Sequence, residues 1–376
     1  MVRRSNVTLH SWLMVMMFAV LVSLAADGSV AAAKDRRLLY VAVPGIRNYL
    51  EYGGHGLLVF DIDDAHRVVK RIATGGRDAS GGSLNVKGVC ASADTQRIYI
   101  STVKTLMCLD LVSEELLWER VYDKGCDRMA LSPDGKVMYL PSLEKDQWYV
   151  LDAATGDELA RLTPDSKAHN TVYGPDGTRC YLAGLGSPLL TVADTSSHTV
   201  HHTIGPFSHG IRPFTINGSQ TLVFACVNEC LGFEVGDITT GKKLLRVEIK
   251  GFKPGPVKRH GCPSHGIGLT PDERELWVCD AFNERLHVYD ATLMPPKYLS
   301  NIKCRDEPGW ITFSIDGTLA YPSSGDVIDV KTREIIAHLT DEVGHAVASE
   351  KLLEIDWEDD RPIRAGNQFG VGGVGE

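Results

Sequence analysis

A surplus of basic residues is missing from this 376-residue chain: 39 lysines and arginines face 48 acidic residues, a formal net charge of −9. Affinity for nucleic acid rests on neutralising phosphates with Lys and Arg, so that class of partner is excluded. Long apolar runs are also missing once the N-terminal segment is passed, and no membrane span is expected in the mature chain. The chain has no G-x-S-x-G elbow, no H-E-x-x-H, no P-loop and no C-x-x-C-H. The local signatures of serine hydrolases, zincins, nucleotide-binding enzymes and c-type haem proteins are therefore absent. Any chemistry must be assembled from residues far apart in sequence.

At the N-terminus, Arg3 and Arg4 precede an apolar stretch from Trp12 to Ala26, broken by Ser23, and Ala31-Ala32-Ala33 supplies an A-x-A site. That order reads as a secretory signal peptide over residues 1–33, cleaved near Lys34, and makes the mature protein secreted or periplasmic. The stretch is short of the roughly 20 residues a bilayer span needs, although an uncleaved anchor is the alternative. Losing Arg3, Arg4 and Asp27 leaves a net charge of about −10. All nine cysteines lie in the mature part, and the odd number leaves at least one thiol unpaired within the chain. Cys90, Cys108, Cys180, Cys226 and Cys279 sit in strand-like runs as small hydrophobes. Cys226 and Cys230 flank a short hairpin and are the pair placed to bridge.

What is present in abundance is a repeat. Seven hydrophobic runs end in Asp, at Asp61, Asp110, Asp152, Asp194, Asp237, Asp290 and Asp329, spaced 49, 42, 42, 43, 53 and 39 residues apart. A period near 40–45 residues with four short strands per unit is the signature of a propeller blade. Each unit reads as an inner strand a, a turn such as Ser132-Pro133-Asp134-Gly135, a strand b, the Asp-ended strand c, and a more polar outer strand d. The recurrence of the Asp marks it as structural. Trp118, Trp148, Trp277 and Trp310 read as packing between blades, and His201-His202 as solvated outer surface. The fold expected is all-β, a seven-bladed β-propeller closed by pairing of N- and C-terminal strands. Blade 1 lacks its own strand a, and His345–Ser349 is the segment expected to supply it. The domains are then 1–33, 34–357 for the propeller, and a Gly-rich tail over 358–376 whose end, 366–376, runs over the surface. Long loops at 44–56 and 251–263 are expected on one face of the ring.

These turns and the V-x-D strand resemble the YVTN-type β-propeller repeat family of exported bacterial proteins, over residues 37–357. The literal tetrapeptide is absent, its positions reading YISTV, YLPSL, YLAGL and WVCDA. The resemblance implies the fold; relatives of this architecture include lactonase-like hydrolases, lyases and enzymes holding copper or haem.

Residues leading into strand a come closest to a propeller's channel. Counting back from the turns gives Lys87, Asp127, His169, His209, His265, Gly309 and His345. Four of the seven are histidine, where an even spread of the chain's thirteen would put about one in windows of that size. Imidazoles converging on an axis suit Zn, Cu, Mn, Fe or Ni, and one can serve as acid or base. His169, His209, His265 and His345 are thus the metal-ligand candidates, and Glu307 or Asp127 the catalytic or ligating carboxylate. Lys87, Arg128 and Arg212 are positioned for an anionic ligand, with Cys126, Cys262 and His55 nearby. Three functions fit: a metal- or small-anion-binding propeller, a metal-dependent lyase or lactonase-like hydrolase, and an interaction module presenting its surface to a protein partner.

Overall fold

The recurrent Asp residues do the local work that turn chemistry asks of them. Asp61 Oδ1 accepts from the backbone N–H groups of Asp63 and Asp64 at 3.0 and 3.1 Å, and Asp110 from Val112 and Ser113 at 2.9 and 2.7 Å. Asp152, Asp194, Asp237, Asp290 and Asp329 repeat the bond two or three residues on. Each carboxylate ends strand c and starts the turn to strand d.

The computed structural model describes Met1 and residues 35–373; the expected signal segment and its cleavage point lie outside the described residues. Residues 35–373 form an all-β, seven-bladed propeller: six antiparallel sheets of four strands and one of five. Among the described residues no helix is long and apolar enough to cross a membrane. In blades 2 to 7 the inner strands are Val86–Ser92, Ala130–Leu131, Ala168–Tyr173, Ile211–Ile216, Ile267–Leu269 and Ile311–Phe313.

The core lies between blades. Tyr99 and Leu106 of blade 2 pack on Met129 and Leu140 of blade 3, and Phe224 and Phe233 of blade 5 on Leu276 and Tyr289 of blade 6. Leu39 and Phe60 of blade 1 meet Tyr321 and Leu339 of blade 7, which completes the circle. Burying a large apolar side chain is worth about 1.5–3 kcal/mol. No blade can collect that energy without its neighbours.

Ring closure joins the chain ends, but through a different segment from the one expected. Asp35–Val43 pairs antiparallel with Leu352–Glu358, Tyr40 opposite Leu353 and Leu38 opposite Ile355. His345–Ser349 instead makes isolated bridges, Ala346 to Thr340 and Ser349 to Gly45. Physically, Leu352–Glu358 is apolar on both sides: Leu353, Ile355 and Trp357 face blade 2 while Leu352 faces blade 7. The shorter H-A-V-A-S run cannot fill both interfaces.

The C-terminal tail does not run over the surface, and the propeller does not end at residue 357. Arg361–Ala365 adds a fifth, innermost strand to blade 1. Residues beyond it enter the channel. Gln368 accepts from the Val89 N–H and donates to the Met129 carbonyl, both at 3.1 Å. Trp310 and Thr312 donate to the Gln368 and Asn367 carbonyls at 2.6 and 2.7 Å. Leu269 N–H and Thr215 Oγ donate to the Gly370 carbonyl, and Gly372 N–H to Ile216. Five blades thus hold the tail. Glycine permits the threading, since a Cβ on Gly370 would stand 2.7 Å from the Gly268 Cα.

The two long loops meet: Arg259 Nη1 donates to Tyr52 Oη at 2.8 Å and Arg47 Nε to the Arg259 carbonyl at 3.1 Å. Cys226 and Cys230 are free rather than bridged. They belong to different interfaces, Cys230 on the blade 4 side of blade 5 and Cys226 on the blade 6 side.

Candidate functional site

At the N-terminal ends of the inner strands, residues from blades 1, 2, 3, 4 and 6 and from the 251–263 loop form one buried polar cluster. Its centre is Glu350, two residues before the inner strand of blade 1. Glu350 Oε2 accepts from Lys351 Nζ at 2.6 Å and from Arg128 Nη2, while Oε1 lies 3.0 Å from His260 Nδ1 and 3.9 Å from His265 Nδ1. Burial alone would raise the Glu350 carboxyl, but Lys351, Arg128 and His260 outweigh it and hold the group well below the usual carboxylate range. The carboxylate is ionised, with one oxygen pinned by cations and the other turned toward two imidazoles.

The rings are fixed by their surroundings. His265 donates from Nδ1 to the Gly309 carbonyl at 3.0 Å, and burial keeps it neutral, well below the ordinary histidine value. His260 stacks on it, ring centres 5.2 Å apart. Gly309 is required there: a Cβ on it would lie 2.0 Å from His260 Cε1. His260, His265 and Glu350 each offer one ligand-type atom, all within 4.8 Å of one another, and all three residues are buried.

A second pair flanks this triad. His169 Nδ1 lies 2.7 Å from Asp127 Oδ2, and the His169 ring meets His265 edge to face at 6.4 Å. Burial opposes the Asp127 charge, yet Lys87 (3.4 Å away), His169 and Arg128 pull its carboxyl far below normal. Nδ1 of His169 therefore carries the proton, and its Nε2 has no hydrogen-bond partner among the described residues. Outer-sphere carboxylates fix metal-ligating histidines in the same way. Arg128 lies over the Trp310 ring at 4.3 Å, so Trp310 is channel lining rather than packing between blades.

Of the residues expected here, Lys87, Asp127, Arg128, His169 and His265 come together. His209 does not: its side chain is 43% exposed, 3.7 Å from Glu229. The blade 5 turn over 216–220 has no Asp to count from, the count slips, and Arg212 takes the second position of the inner strand that His169 holds in blade 4. Arg212 is itself spent on Asn228 Oδ1 at 2.6 Å and the Gly261 carbonyl. His345 is 74% exposed beside Asp341, because the strand it was to precede lies seven residues further on. Glu307 accepts from the Lys258 and Arg259 N–H groups and pairs with Arg259, clamping the loop that carries His260. It is not part of the cluster. His55 lies 3.3 Å from Arg77, outside the cluster, and Cys126 is core between blades 2 and 3. Cys262 donates to the Ser264 carbonyl at 2.9 Å, with burial raising its thiol to about 12. His260 and Glu350 were missed. The signals were the 251–263 insertion, whose loop brings in His260, and the LLEIDWE run, which places Glu350 at an inner-strand start.

No family model matches this chain, and no curated protein does. Among solved structures it is similar to a chain of Kuenenia stuttgartiensis hydrazine synthase, with a TM-score of 0.46 and 14% identity over 71% of this chain and 98% of that one. That degree of likeness carries no inference about what this chain does.

Proposed function

We propose that this is an extracytoplasmic propeller whose channel mouth binds a divalent transition metal through His260, His265 and Glu350. The observation that carries the reading is three buried ligand-type atoms within 4.8 Å, delivered by a loop and two blades. Two imidazoles and one carboxylate, with positions left over, are the donor set of open zinc and non-haem iron(II) sites. A zinc-like ion binds nitrogen at about 2.0–2.1 Å, so ligand atoms that now lie within 4.8 Å of one another must settle at about 3.3 Å apart in a tetrahedral site. Lys351 and Arg128 orient the carboxylate, and the Gly309 carbonyl orients His265. Metal analysis of the purified protein tests this. About one zinc or iron per chain is expected, lost in His260→Ala/His265→Ala; undiminished metal in that double variant overturns the proposal.

A second reading, a metal-dependent lyase or lactonase-like hydrolase at the same centre, is favoured by the Asp127–His169 pair. A histidine with its tautomer fixed by a buried carboxylate and its other nitrogen unpartnered is equipped to accept a proton. On that reading, metal-loaded protein turns over members of a lactone panel and Asp127→Asn loses at least tenfold in rate while still binding metal. Equal rates for the two proteins would leave the binding reading alone.

A further inference from the structure

Arg128, which bonds Glu350 of the triad, and Asn170 on the adjoining inner strand each carry a buried hydrogen-bond donor with no partner among the described residues. Arg128 is 2% exposed; its Nη2 is taken by Glu350, but its Nε–H has no acceptor among the described residues. Asn170 is fully buried, and both ends of its amide are unpartnered among the described residues. The two residues are neighbours, since their backbones form a parallel bridge between the inner strands of blades 3 and 4. Buried donors are nearly always satisfied, by protein, water or ligand, because leaving one unmet is costly.

The charges point to what would satisfy them. Lys87, Arg128 and Lys351 converge on two carboxylates, Asp127 and Glu350, with Lys87 on Asp127 at 3.4 Å and Lys351 on Glu350 at 2.6 Å. Lys87 and Arg128 balance the two carboxylates, and Lys351, lowered to about 7 by burial and then by Arg128, adds positive charge whenever it is protonated. A divalent metal on the triad adds two more to a site that water barely reaches, and buried charge must be balanced.

We infer that this centre binds a small anion, a carboxylate or a tetrahedral oxyanion, held by the N–H groups of Arg128 and Asn170 next to the bound metal. The inference rests on the metal-binding reading only for that neighbour; the anion's own partners belong to the chain. Asn170 Oδ1 is left to accept from a hydroxyl or water that enters with it. The ligands are then linked: whatever factor the anion adds to metal affinity, the metal adds to anion affinity.

The test titrates the purified full chain with zinc, at constant ionic strength, with no added anion, with acetate and with sulfate. The two anions separate the carboxylate from the oxyanion. Zinc affinity should rise by about fivefold or more with the preferred anion. Asn170→Leu, and independently Lys87→Gln should the first fail to fold, should abolish most of that gain yet keep zinc affinity without anion within about twofold. Zinc affinity indifferent to both anions overturns the inference and leaves the metal reading standing. A gain unchanged in both variants overturns the assignment to these residues. Anion binding by the metal-free chain, lost in the variants, with no zinc uptake, upholds the anion site and sinks the metal reading.

Discussion

The two ends of the channel are built from the same inner strands and have opposite chemistry. At the N-terminal ends, Glu350, Arg128, Asp127 and three histidines crowd together, and polar atoms of Arg128, His169, Asn170 and His260 lack partners among the described residues. At the far end the Gly-rich tail answers the strands with its own backbone, Gly370 accepting from Leu269 and Gly372 donating to Ile216. Trp310 divides them, offering its face to Arg128 and its N–H to Gln368. Size is a poor guide to which end matters. A cavity of about 580 Å³ sits at the tail end, among the turns around Ser92, Ser132 and Pro175 and beside Asn367 and Gln368. Its lining brings no imidazole together with a carboxylate. Unmet hydrogen bonds occur elsewhere too, but among the described residues four neighbouring side chains, Arg128, His169, Asn170 and His260, carry five such atoms at the tight end. That concentration is the better marker of a ligand.

The sharpest way to break the comparison is to delete each part that the C-terminus contributes. Removing 350–376 takes the inner strand of blade 1 with the tail, opens the ring, and should exceed the roughly 5–15 kcal/mol that holds a domain together. No cooperative thermal transition is expected by calorimetry. Removing only 366–376 forfeits the burial of Phe369 and Val371, about 3–6 kcal/mol, and should lower Tm while metal content stays the same. Metal lost with the tail alone would mean that the two ends are not independent.

Glu350→Ala comes next. It leaves Lys351 buried without a counter-charge and Arg128 with only Asp127, 3.8 Å away, which costs about 3–5 kcal/mol. Denaturant unfolding should show a loss of that size, with metal gone. A loss below about 1 kcal/mol would mean that the pairing is weak.

A pair of glycines sharpens the contrast. Gly309→Ala drives a methyl into the His260 ring, and Gly370→Ala drives one into the Gly268 backbone, at 2.0 and 2.7 Å. Each should cost about 1–3 kcal/mol as overpacking. Only the first should lower metal content, and only the second should make the C-terminus susceptible to carboxypeptidase.

The smallest effect is in pH. Asp127 and Glu350 have folded-state values below their unfolded ones, so their stabilisation is present above the unfolded carboxylate range, near pH 4, and is lost as pH falls below it. Neutral, buried His265 has the same sign, disfavouring fold on acidification. Tm measured from pH 7 to pH 3 should fall more steeply in the full chain than in Asp127→Asn. The tail deletion should instead show a nearly constant offset, since its contacts are backbone, amide and apolar groups.

Much of this was legible in the sequence, for a physical reason. Turn and strand chemistry is local: Asp bonds its own next turn, Pro-Asp-Gly bends the chain, alternating apolar residues fill an interface. The blade number and the structural role of the seven Asp residues therefore followed from spacing. So did the positions of Lys87, Asp127, His169 and His265, each counted back from the turn Asp of its blade, with Arg128 next to Asp127. The count failed where the turn has no Asp to count from, at His209, and where the strand itself was misplaced, at His345. Glu307 and His260 exchanged roles because a loop's path depends on what it is clamped to, here Arg259 held by Asp306 and Glu307.

The sequence by itself determined the repeat and the count of blades, because these rest on interactions between residues close in the chain. It also determined the need for the chain ends to meet, because the first blade lacks an inner strand of its own. Only the tertiary structure decided which C-terminal segment closes the ring, that the glycine tail fills the channel, and that Glu350 joins His260 and His265. Those outcomes depend on which surfaces face each other after closure. A carboxylate 85 residues beyond His265 acquires its partners only when blade 1 and blade 6 share one axis.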